Sequence, residues 1–463
     1  MNKEITYVLR KPEWLYWITI GNGDGQFDGG ELEKLNTQLQ DKNIKLSLGL
    51  DYQKVAAQAQ DKAHYVNVNK VYSVLETELS GENNLDIVDL DVIWISHFAH
   101  NDWIVPLDSP QIRSNNRYKF GVEHEAGKVL VKHADGSKKV STFAKPNFLN
   151  VGFLMYRTDL MKQIGARIPK TWDELLEILR QAKDKNFDGF VFQGGKYEGL
   201  LVNFIEILWA KGGDIDENGM PIVHTPESVS ALQLMKLLFK EGLSPREVLS
   251  YDEVKILNHF SEKDTLVLRN WPRAYYSMQH HKKYKAVRNK VDVFPKPLPF
   301  DGVPRGFAKM CLGGWFYAVS RSSLLNGRYN KAVTVINHLT SDEQYYRSLF
   351  PSQYSKEKGE YAMRIPADKI MIQYAKGRHD ALDHVYEYLE NRYYRTRPEI
   401  PNYYKFSKIL VKYLHRALED DLYKAKDALE DAQAEIEDVF SSKRRISGHS
   451  PTCNSIREWK NQP

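Results

Sequence analysis

Two cysteines are all the thiol chemistry available to this chain of 463 residues, Cys311 in an apolar run and Cys453 in a polar one. That number and spacing make neither a disulfide framework nor a set of soft metal ligands, so a thiol-based mechanism is not expected. Long hydrophobic runs are also missing: no stretch approaches the roughly 18 apolar residues of a membrane span, and MNKEITYVLRK has no apolar run of the export-signal kind. Taken literally, that places the chain in the cytoplasm. Charge of one sign is scarce as well, since 65 Lys and Arg stand against 60 Asp and Glu for a net +5. With no basic stripe interleaved with glycine and aromatics, no nucleic-acid partner is expected.

Enzyme signatures are equally thin. There is no serine elbow, no phosphate-cradling glycine loop with lysine, and no paired-histidine motif on a helix. His97 and His100 stand three apart without an identifiable third ligand. GNGDGQFDGG imitates a calcium loop but puts Phe27 where the glycine belongs. Asp89 and Asp91 lie two apart on a strand and are open to acid–base work. One of them pinning a substrate hydroxyl or a neighbouring turn is the simpler reading. No metal and no cofactor are expected.

What the chain does have is rings and alternation. With 9 Trp, 27 Tyr and 19 Phe it carries more aromatics than core packing asks for, which suggests a ring-lined surface. Several stand beside glycine, asparagine or a charge: Trp14, Tyr16 and Trp17; Trp94; Trp209; Trp271 between Asn270 and Pro272; and Trp315 after Gly313 and Gly314. Rings stacked on pyranose faces, with amides and carboxylates taking the hydroxyls, make a sugar site without chemistry. The two glycines before Trp315 would let backbone pass close to a ligand.

Leu85 to Leu107 is the organising stretch. Its near-continuous Ile87, Val88, Leu90, Val92, Ile93 and Ile95 predict a strand buried on both faces, and a polar, aromatic end at Trp94, Ser96, His97, Asn101, Asp102 and Trp103 predicts a site wall. Strand and helix candidates alternate around it, which fits a parallel sheet with covering helices. Farther on, Thr171 with Glu174 forms a capping box, and Thr225 with Pro226 starts a second well-marked helix that Gly242 ends. HADGSKK reads as a hairpin tip, HHKKYKAVRNK as a solvated helix surface, and Met310 to Ser320 as a strand. Phe406 to Phe440 is mainly helical, and Ser441 to Pro463 is a polar tail expected to be disordered.

The order of the pieces DIVDLDVIWI, GFLMYRTDL, PKTWDELLEIL, NFIEILWAKGG, HTPESVSAL, VLRNWPRAYY, CLGGWFYAVS and PNYYKFSKIL resembles an extracellular solute-binding protein of an ABC importer, maltose/trehalose type, over about residues 4 to 440. The resemblance implies the periplasmic-binding-protein-like α/β fold: two α/β lobes, crossing strands, and a ligand cleft that closes. It implies lobe one at 1–148 and 290–345, lobe two at 149–289 and 346–440, and a tail at 441–463. It implies a mono- or oligosaccharide as ligand, a membrane permease as partner, a monomer, no catalysis, and a periplasmic or extracellular location reached by an export segment absent from this sequence. Carried over residue by residue, Asp91 bonds sugar hydroxyls, Asn150 stands where the family has an acidic residue, Trp271 and Trp315 (with Gly314 before it) supply rings, and Arg395 or Arg397 contacts sugar; Trp17, in the Trp14 to Gly30 segment that departs from the family, is a further candidate ring. Asn150 is a departure, because an amide donates as well as accepts and so suits a different hydroxyl pattern. Alternatives left open are a regulatory or scaffolding protein on the same fold, and a glycan-processing enzyme.

Overall fold

The structure, a computed structural model, describes residues 4–7, 37–42, 44–48, 68–81, 85–107, 126–132, 137–215, 220–344, 377, 380–400 and 402–446. The ring-rich segment with Trp17, the calcium-like loop, the polar stretch after Pro351 up to residue 376 and the tail from residue 447 lie outside them. The strands in chain order are β1 (Glu4–Tyr7), β2 (Lys45–Leu48), β3 (Ile87–Asp91), β4 (Ile104–Val105), β5 (Lys128–Lys132), β6 (Lys138–Thr142), β7 (Ala144–Val151), β8 (Phe153–Arg157), β9 (Asp188–Val191), β10 (Thr265–Asn270), β11 (Val291–Val293), β12 (Met310–Ser320) and β13 (Tyr394–Arg395).

The chain divides into two compact units: Met1–Leu149 with Gly314–Tyr374 and His449–Pro463, and Asn150–Gly313 with Ala375–Gly448. Among the described residues the chain passes between them inside β7, at 149 to 150, and inside β12, at 313 to 314. Residues 290–313, expected in the first lobe, fall in the second unit. The reason is pairing: β11 lies antiparallel to β8, with Val291 opposite Arg157 and Val293 opposite Met155.

In the first unit β3 is parallel to β1 and antiparallel to β12. The sheet is therefore mixed rather than parallel, because its neighbour β12 arrives from more than 200 residues downstream and no local pattern records its direction. Ile87, Val88 and Leu90 are all 0% exposed, as a strand covered on both faces requires. The strand does not run on to Ile95. Asp91 keeps extended backbone and its carboxylate accepts the Ile93 N–H at 3.3 Å, capping a 3-10 turn, Val92–Trp94, that feeds the helix Ile95–His100. A local side-chain bond to the backbone here outweighs the strand preference of Val92, Ile93 and Ile95. On the other side Ile87, Val105 and Val319 pack with Val333, Ile336 and Leu339 of the helix Tyr329–Leu339. β5 and β6 pair antiparallel, Leu130 opposite Val140, while residues 133–136 of the expected hairpin tip lie outside the described residues.

The second unit has a four-stranded sheet in the order β11, β8, β10, β9. The helix Trp172–Asp184 begins as expected: Thr171 Oγ1 accepts the Glu174 N–H at 3.3 Å, but the Glu174 carboxylate reaches one residue farther back, to the Lys170 N–H at 2.6 Å. Thr225 caps the helix Pro226–Lys240, and Gly242 takes a φ of +65° just after it. The helix Glu198–Ala210 is buried throughout, with the helix Tyr403–Glu419 packed against it. HHKKYKAVRNK is not a helix surface. The helix Pro272–His280 ends on the first residue of that run, and a 3-10 turn, Lys282–Tyr284, lets Tyr284 and Val287 point inward. The last helix, Ala425–Ile446, extends past the expected tail boundary, so Ser441 to Ile446 are helical rather than disordered.

Candidate functional site

In the second unit the candidate groups gather where β10 ends. Trp271 takes extended backbone as the cap of the helix that Pro272 begins, so its ring leaves the strand end half-buried instead of entering the core. The Asn270 side chain accepts the Trp271 N–H at 2.8 Å and donates to the Glu253 carbonyl at 3.0 Å, which pins this corner. One face of the indole is taken: the Arg269 guanidinium carbon lies 4.2 Å from the ring centre. Its edge rests on Gly313, where a Cβ would come 3.2 Å from Cη2. The same Gly313 position is 3.5 Å from Asn150 Cβ, so Asn150 and Trp271 stand at one spot, and the half-buried Asn150 amide makes no hydrogen bond among the described residues.

Asp91, Gly314 and Trp315 belong to the first unit, where Trp315 lies opposite Asp91 in the antiparallel pair of β3 and β12. Trp315 is 3% exposed and meets the buried Trp94 edge-on, with centroids 5.3 Å apart. Gly314 has a φ of +142°, and a Cβ there would stand 2.5 Å from the Phe148 carbonyl oxygen. What passes close to this glycine is the backbone of β7, not the ligand the sequence suggested.

The two arginines differ. Arg395 is half-exposed, pairs with Asp214 at 2.5 Å and lies 5.5 Å above the Trp209 ring. Arg397 is buried and donates to Glu198 at 2.8 Å, in a network where Glu198 also accepts from Tyr403 and Ser407. Burial, with Glu198 beside it, pushes the Tyr403 hydroxyl well above its ordinary range, so that hydroxyl keeps its proton.

Sequence reasoning passed over Glu206 and Arg269, which form a buried ion pair with Nε to Oε2 at 2.9 Å. Their signal was legible: a lone glutamate in the apolar NFIEILW and a lone arginine in the apolar LVLRN, charges that a core tolerates only when paired. A cavity of about 20 Å³ beside them, lined by Asn203, Glu206, Arg269, Phe190 and Met310, has room for about one water and is far below the ~300–1,000 Å³ of a ligand pocket. Cys311 is fully buried and its thiol is pushed well up by that burial, which leaves it inert. Among the described residues no group of three or more His, Cys, Asp or Glu could hold a metal, and His97 packs edge-on against Trp103.

Two α/β units with mixed sheets, joined through strands, define the periplasmic-binding-protein-like fold. The profile of the bacterial extracellular solute-binding proteins matches residues 49–346. A probable ABC transporter-binding protein of Deinococcus radiodurans is 32% identical over 221 residues, 46% of this chain and 50% of that protein. The chain thus spans about half the length of the curated relatives it matches. Among solved structures, maltose-bound MalE3 of T. maritima superposes with a TM-score of 0.69 at 25% identity, covering 94% of this chain and 99% of the other. A solute-binding protein of Thermotoga lettingae bound with α-D-tagatose gives 0.68 at 18% identity, covering 94% and 99%. The chain belongs to the family of bacterial extracellular solute-binding proteins, a non-catalytic family of binding proteins.

Proposed function

We propose that this protein is the substrate-capturing component of an ABC importer for a mono- or oligosaccharide, working outside the cytoplasm as a monomer and delivering to a membrane permease. The observation that carries the reading is the Trp271 ring, half-buried, backed on one face by Arg269 and standing beside the unpartnered amide of Asn150. A half-buried ring backed on one face by a guanidinium suits a pyranose on the other, and an amide alongside suits its hydroxyls. The maltose and tagatose named for the two similar structures point to the same class. Asp91 is proposed as a hydroxyl acceptor from the first unit, and half-exposed Arg395 as a further contact. The burial of Trp315 against Trp94 supports a packing role for it, and the engagement of Arg397 with Glu198 does the same there.

A thermal-shift panel of maltose, trehalose, tagatose, glucose and malto-oligosaccharides tests the reading, because a ligand of the folded state raises the apparent melting point. A concentration-dependent rise with at least one sugar, confirmed by calorimetry and without product on chromatography, is expected. No shift with any of them sinks the sugar assignment, and product formation sinks the receptor.

A further inference from the structure

Glu206 and Arg269 are 7% and 1% exposed, so each charge has given up its water. Such a pair is a weak source of stability, since desolvation offsets most of the attraction. What it touches is more telling. Glu206 Oε1 accepts the Cys311 N–H at 2.8 Å, and the Cys311 carbonyl accepts the Gly152 N–H at 3.1 Å. Any side chain at Gly152 would overlap the Arg269 guanidinium and the Glu206 carboxylate. The pair is therefore hydrogen-bonded to β12 at Cys311 and packed against Gly152 just past β7, each two residues from a point where the chain passes between the units. The same guanidinium lies over the Trp271 ring, its carbon 4.2 Å from the ring centre, and the edge of that ring rests on Gly313. Arg269 Nη1 makes no hydrogen bond, so the ion pair does not exhaust this side chain.

We propose that Glu206 and Arg269 are a positioning pair that fixes the Trp271 ring as a one-faced platform for the ligand and ties it to the backbone at Gly152, Cys311 and Gly313. A sugar ring then stacks on a single indole face, and a displacement of Trp271 is passed to both strand segments. The inference rests on Trp271 being the ligand ring.

The test is 19F NMR of the full chain labelled with fluorotryptophan, with the Trp271 signal assigned through Trp271→Phe, alongside calorimetry with maltose and tagatose. Glu206→Gln alone strands a buried cation and threatens folding, so the main variant is the double Glu206→Leu/Arg269→Met, an apolar replacement of the kind cores tolerate. Arg269→Lys is the second variant: it keeps the charge and removes the planar stack. In both, the Trp271 signal is expected to shift or split while the other indole signals hold, and sugar affinity to fall about tenfold with the fold retained. An unchanged Trp271 signal in whichever variant folds overturns the positioning role. A moved signal with unchanged affinity overturns the platform role. If the parent binds none of maltose, trehalose, tagatose, glucose and the malto-oligosaccharides, the receptor reading fails and takes the ligand part with it, while the signal still decides whether the pair holds the ring.

Discussion

Trp315 stands directly opposite Asp91 across the antiparallel ladder of β3 and β12, and the two residues meet different fates there. The indole turns into the core against Trp94, whereas the carboxylate stays half-buried at the strand end and caps the turn that follows. Asp91 thus separates cleanly into a capping function and a proposed ligand function. Asparagine caps about as well as aspartate, so Asp91→Asn should change stability by less than about 1 kcal/mol. Loss of charge-assisted bonds to hydroxyls should weaken sugar binding about tenfold or more. Melting curves and calorimetry on the same preparation check both halves, and unchanged affinity would leave Asp91 a strand-end cap.

Trp271→Ala and Trp315→Ala should fail in opposite ways. Emptying the Trp315 site should cost about 3–5 kcal/mol through the cavity left beside Trp94. Emptying the half-exposed Trp271 site should cost clearly less stability and at least about tenfold in affinity. Urea midpoints without sugar and dissociation constants with it decide. Equal behaviour of the two variants would remove Trp271 from the site.

The adjacent glycines offer a second contrast. Gly314→Ala faces both a φ of +142° and the Phe148 carbonyl oxygen 2.5 Å away, so a loss of about 1–3 kcal/mol or more is expected. Gly313→Ala crowds the far edge of the Trp271 ring, which must give by a few tenths of an ångström, and makes only ordinary contact with Asn150. Its main effect should be on sugar affinity and on Trp271 fluorescence, not on the urea midpoint. A stability loss at 313 as large as that at 314 would contradict this assignment.

A pH dependence follows from Asp188, whose carboxylate is held below its ordinary range by the hydrogen bond from His259 Nε2, 2.8 Å away. A folded-state value below the unfolded one means that the folded state resists protonation. The contribution is fully present above the unfolded value of about 3.9 and is lost as pH falls through the depressed folded value. Asp188→Asn should therefore lose stability at pH 6 and show a shallower decline than the parent between pH 5 and pH 3 in urea titrations. Parallel declines would assign acid sensitivity elsewhere.

Much of the architecture was legible because it is written locally. Thr171 and Thr225 announce their helices, Met310 to Ser320 is mostly apolar and buried for its whole length, and Ile87, Val88 and Leu90 are buried as their composition suggests. The errors came where a single side chain or a distant strand competed with composition. Asp91 ended β3 four residues early by capping a turn, and β11 joined the second unit because its partner is β8.

The sequence by itself determined the alternation of strands and capped helices and the lack of a thiol or metal motif, because hydrophobic period, capping residues and ligand spacing act over a few residues; the two lobes were what the resemblance implied. Only the tertiary structure decided which tryptophan is core and which is half-open, since Trp271 and Trp315 look alike in the chain and differ only in what distant segments bring to them. Trp94 closes over one, and Arg269 backs the other, which stays half-buried. The glycines beside them follow the same rule. Their freedom is spent on Phe148 and Trp271, neighbours more than forty residues away that no local pattern could name.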